Sequence, residues 1–168
     1  MSKKRFTLLI VLSIAGMSLL GFTSASGDGG DQAGDVVGTY ILTVTAAGTP
    51  PFSELLTLHR GGTLSETNTT LHPNSANPFF AFNGSDGYGA WERGPENTVV
   101  IKFVKMVFDG TNDHVGYLVV EATARIEGDE FTNLESDVNI LIGPDLFNPF
   151  NVIPLGPTDA VGRRITVD

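Results

Sequence analysis

The chain has no cysteine, three histidines and only ten basic residues among its 168. Without cysteine there is no disulfide framework, no thiol nucleophile and no zinc–thiolate site. Ten Lys and Arg against nineteen Asp and Glu give a net charge of −9. That balance excludes nucleic acid as a partner, because neutralising phosphates needs clustered positive charge. Helical periodicity bounded by caps is missing throughout. Twenty Gly and nine Pro follow no Gly-X-Y period, which excludes collagen and promises turns instead. No phosphate loop, dinucleotide fingerprint or strained Gly-x-Ser-x-Gly elbow occurs, so no cofactor is implied. His59, His72 and His114 have no metal-ligand spacing among them, and no metal site is expected.

What is present begins with an export pattern. Lys3, Lys4 and Arg5 precede a mostly apolar run from Phe6 to Leu20, then small residues with Thr23 and Ala25 at the −3 and −1 positions of a cleavage site. A spanning helix needs about 20 apolar residues, so a cleaved signal peptide over 1–25 is expected rather than an anchor. No membrane span is expected after cleavage, and the protein is expected in the periplasm or outside the cell. Cleavage removes three of the ten basic residues and no acid, leaving 143 residues at −12. Residues 26–35, rich in Asp and Gly, read as a flexible acidic leader. Their spacing is not that of an EF-hand calcium loop.

From Val36 to the end at Asp168 the pattern is strands and turns, which predicts one all-β domain over 36–168. Eight strands are expected: Val36–Thr45, Ser53–His59, Thr63–Thr67, Tyr88–Arg93, Thr98–Phe108, Val115–Glu127, Glu130–Ile142 and Gly162–Val167. In the sixth, period-two alternation puts Gly116, Leu118, Val120, Ala122, Ala124 and Ile126 on the buried face. Leu134, Val138, Ile140 and Ile142 continue that face in the seventh, opposite Glu135, Asp137 and Asn139. Phe131 falls out of phase, so a bulge near Asn133 is expected. The fifth strand alternates poorly and reads as covered on both faces. Sequential hairpins favour a single eight-stranded antiparallel up-and-down barrel, with a two-sheet sandwich as the alternative.

The connections sort by end. Arg60-Gly61-Gly62, Gly94 to Asn97 and Gly128-Asp129 are tight; Asn68 to Gly87 and Gly143 to Val161 are long. The long connections carry Asn77-Pro78-Phe79-Phe80-Ala81-Phe82 and Phe147-Asn148-Pro149-Phe150. Asn-Pro starts a turn and fixes the direction of the Phe that follows. Two readings stand open: these Phe side chains plug the mouth, or they form a lid over a cavity. Small inward residues at Gly116, Ala122 and Ala124 favour the cavity, since an eight-stranded barrel can just hold one small ligand.

Gly38-Thr39-Tyr40 on the first strand, with Arg163-Arg164 on the last able to pack across the aromatic, resembles the calycin group, the lipocalin-like small barrels. The sequence departs from that group in having Tyr40 in place of the usual Trp, and in lacking a Thr-Asp-Tyr loop and a C-terminal helix. Similar barrels include allene-oxide-cyclase-like and dirigent-like proteins. The loop asymmetry and the small inward residues on the sixth strand point to binding of a small apolar molecule in the lumen. The candidate ligand-binding residues are Phe79, Phe80, Phe82, Phe147, Phe150, Trp91, Leu118, Val120 and Ala122. Two other classes remain: a cyclase or isomerase using the same cavity, and a surface or matrix interaction protein with a filled barrel. No catalytic motif is present. Glu121, Glu135 and Asp137 read as a solvated outer face by their parity.

Overall fold

A computed structural model of the protein describes residues 36–70 and 82–166. The expected signal peptide and leader, together with His72, Phe79 and Phe80, lie outside the described residues. The strands are β1 (Gly38–Ala46), β2 (Phe52–Leu58), β3 (Thr63–Asn68), β4 (Asn83–Gly84), β5 (Gly87–Arg93), β6 (Thr98–Phe108), β7 (His114–Glu127), β8 (Glu130–Ile142), β9 (Asn151–Gly156) and β10 (Thr158–Arg164). Every pairing is antiparallel, in the order β10-β1-β2-β3-β5-β6-β7-β8. The ring closes where β10 meets β8, with Val161 opposite Thr132 and Arg163 opposite Glu130. Closure makes an eight-stranded barrel and removes the sandwich alternative. β4 is a short bridge onto β6.

Strand β9 corrects the expected last connection. Half of the segment read as a loop from Gly143 to Val161 is strand, and the last strand ends at Arg164 rather than Val167. β9 pairs with the upper part of β8 and leads through Pro157 into β10, so the two make one interrupted wall. Pro154 is tolerated in β9 because an edge position needs no N–H from it, and Pro157 lies between the two strands.

The bulge lies where the phase slip placed it. Thr123 faces Glu135 while Ala124 faces Asn133, leaving Leu134 as the extra residue. This returns Phe131 to the core at 3% exposure and turns Leu134, expected inside, outward at 49%. Strand β6 is also corrected. It alternates cleanly, with Val99, Ile101, Phe103, Lys105 and Val107 inside, while Val100 and Met106 are exposed. The sequence looked two-sided because apolar residues occupy outward positions and a lysine occupies an inward one.

The two ends of the barrel differ. Around the tight turns, Tyr40, Leu42, Leu58, Leu64, Val99, Ile126 and Phe131 form a filled core. Arg164 seals it: its guanidinium lies 5.5 Å from the Tyr40 ring centre and donates to Tyr40 Oη and Gly128 O, both at 3.1 Å. Gly128 supplies the positive φ (60°) that the two-residue hairpin turn requires. Arg163 instead points outward to Glu130. A smaller cluster of Val107, Leu118, Val138 and Ile140 lies toward the other end. The outer face carries charge, including Lys102 paired with Glu121, and Asp137 opposite Glu121. Exposed Ile41, Val100, Met106 and Leu134 stand among these charges. Among the described residues no helix is long and apolar enough to cross a membrane.

Candidate functional site

Between the two clusters lies a cavity of about 280 Å³. Its floor is Val44, Leu56, Ile101 and Phe103, its walls are Val107, Leu118, Val120, Ala122, Val138 and Ile140, and its rim is the β1–β2 turn from Ala46 to Thr49. It therefore opens toward the end that carries the longer connections. A barrel of this strand number has only enough interior to be filled or to hold one small guest. Here the tight end is filled and the other end is hollow.

The structure brings four of the candidate residues to this cavity: Phe82, Leu118, Val120 and Ala122. Phe52, from the same Phe-rich end, joins them. Phe147 and Phe150 do not line it; they stand in solvent at 92% and 80% exposure. Trp91 does not line it either. It packs on the filled core near the tight turns and donates its indole N–H to His59 O at 2.9 Å. Of the small inward residues, only Ala122 borders the cavity. Ala124 is sealed in the core, and Gly116 is small because a Cβ there would sit 2.1 Å from Leu141 O on the neighbouring strand.

The sequence reading missed a charged centre in the wall. Glu54 and Asn68, opposite each other on β2 and β3, line the cavity. Next to them, sealed from solvent at 2% exposure each, lie Glu66 on β3 and Lys105 on β6. Lys105 Nζ is 3.2 Å from Glu66 Oε1 and 2.8 Å from Oε2. These two strands are not neighbours, because β5 runs between them. The carboxylate passes over Gly87, its register partner, where a Cβ would come within 2.6 Å of Oε2. Glycine at 87 is what lets the pair form.

Burial, and then the charge of Glu66, push the Glu54 carboxyl up from 4.5 to about 8 against the pull of Lys105. Burial also raises Glu66, opposed by Lys105 and by a hydrogen bond from Asn68. Two acids thus share one ammonium. Glu66 holds it, and Glu54 keeps its proton at neutral pH. The signal was present in the strand parity: Glu54 shares a face with Leu56 and Leu58, Glu66 with Leu64, and Lys105 with Phe103 and Val107.

Elsewhere, Asp109 accepts from the Thr111 and Asp113 amides and the Thr111 hydroxyl, and these bonds hold its carboxyl below the usual range. This is a turn stabilised by its own side chain. His114 beside it packs edge-on against Phe108 and Tyr117. Among the described residues no group of three or more His, Asp or Glu could hold a metal ion. No protein-family model matches the chain, and the curated proteins and the solved structures give no significant match to it.

Proposed function

We propose that the protein is an exported, calycin-like carrier that binds one small, largely apolar molecule in the barrel lumen. The observation that carries this reading is the 280 Å³ cavity with aliphatic and aromatic walls above a filled core. Ligand pockets run from roughly 300 Å³ upward, so the guest is at the small end of the range. At ~30 Å³ per water-sized volume, the space suits about nine non-hydrogen atoms. The packing of Arg164 on Tyr40 supports the calycin resemblance. The basic, apolar and small-residue succession at the N-terminus supports export. The lid reading is supported at Phe52 and Phe82, which reach the cavity, and not at Phe147 or Phe150.

Calorimetric titration with 1-octanol, a guest of matching size, tests this function. The protein should bind it, and Ala122→Trp, which fills the lumen, should keep its β-sheet circular dichroism and lose binding. Octanol binding that survives Ala122→Trp overturns the reading, as does an unmodified chain that binds neither 1-octanol nor octylamine or octanoate, its charged counterparts of the same length. One observation favours the cyclase or isomerase reading as second: Glu54 is a carboxyl in the cavity wall whose pKa of about 8 suits it to proton transfer near neutral pH.

A further inference from the structure

We propose that the cavity selects guests with a cationic head, a primary amine on a short apolar body, and that Glu54 is the residue that receives the ammonium. This rests on the lumen being a binding site and names the class of ligand it takes.

The argument is one of charge and place. Glu54 lines the cavity, and no hydrogen bond joins its carboxyl to another described residue. The groups that act on it are Glu66 from β3 and Lys105 from β6, with Asp86 before β5 acting in turn on Glu66. Leu42, its register partner on β1, adds no charge. Lys105 is already held at 2.8 Å by Glu66, so the site is one positive charge short of neutral when both acids ionise. A proton on Glu54 fills that deficit in the empty protein. An alkylammonium would replace the proton and keep its chain against Leu56, Phe103 and Leu118.

The alternatives fit less well. A carboxylate guest would bring a third acid to a lysine already engaged. A neutral alcohol would accept one hydrogen bond from protonated Glu54 and gain no charge attraction from it. Buried ions need several hydrogen bonds as well as a counter-charge. Asn68 and Thr70 also line the cavity, where Asn68 Oδ1 accepts from the Thr70 amide at 3.0 Å and its hydroxyl at 2.9 Å, so a fixed polar wall stands beside Glu54. The acidic chain, at −9, draws cations toward the mouth.

Exchange of a proton for an ammonium fixes the pH dependence. Below the Glu54 pKa of about 8, binding releases a proton, so affinity rises with pH. Between pH 6 and pH 8 the ionised fraction of Glu54 grows about fifty-fold, while an amine with a pKa of about 10 stays charged. Calorimetric titration of the full chain with octylamine, 1-octanol and octanoate at pH 6, 7 and 8 reads this directly. The expected result is octylamine as the tightest guest, gaining at least tenfold across that range. Glu54→Gln should lose octylamine binding and its pH dependence while still binding octanol. Octanol binding as tightly as octylamine, or octylamine affinity that is flat with pH or unchanged in Glu54→Gln, overturns the cationic assignment and leaves the lumen a binding site. If none of the three binds at any pH, the carrier reading falls with it.

Discussion

Replacing Glu54 with Gln should remove a pH-dependent weakness from the empty protein. The folded chain holds the Glu54 proton with a pKa of about 8, against an ordinary 4.5. A carboxyl raised in this way contributes its full stability below pH 4.5, where both states are protonated. As the pH climbs toward 8, unfolding releases that proton and becomes easier. The slope approaches ~1.4 kcal/mol per pH unit within this window, so about 3 kcal/mol is lost between pH 5 and pH 8. Gln has the same shape and no proton to lose. Urea denaturation at pH 5, 6.5 and 8, followed by the fluorescence of the single tryptophan, Trp91, measures both proteins. They should lie within ~1 kcal/mol of each other at pH 5. At pH 8 the variant should be more stable by several times that. Carboxyls remote from the site are common to both and cancel in the difference, leaving Glu54 and the Glu66 coupled to it. Parallel pH profiles for the two proteins would show that Glu54 is not desolvated in the wall, and the charge argument built on it would fail.

Two further outcomes follow from the same geometry. Lys105→Met strands Glu66 in a sealed site and should cost about 3–5 kcal/mol at pH 7 by chemical denaturation. Adding Glu66→Leu should recover most of that loss, whereas two additive losses would contradict a direct pair. Phe147→Ser and Phe150→Ser should each change stability by less than ~0.5 kcal/mol and leave octanol binding unaltered, since both rings stand in solvent. A large loss in either measurement would place these rings on the barrel.

The sequence by itself determined the all-β class, the sorting of tight and long connections, the β7–β8 hairpin and its bulge. Each of these depends on local rules: alternation along a strand, a turn residue with positive φ, a phase slip at Phe131. The same rules placed Leu118, Val120 and Ala122 on the inner face. Strand parity also carried a signal for Glu54, Glu66 and Lys105 that went unread, because a charge at an apolar parity is interpretable only once its partner is known. Lys105 and Glu66 are 39 residues apart and meet across a strand that belongs to neither. Only the pairing order β3-β5-β6 makes them neighbours, with Gly87 leaving the gap between them. Long-range pairing likewise decided that the last wall begins at Asn151, because β8 beyond its contact with β10 is open to β9 despite the proline in that strand. Few basic residues first served to argue against nucleic acid as a partner. The tertiary structure gives that scarcity a local meaning, since Lys105 inside the barrel is outnumbered by Glu54 and Glu66.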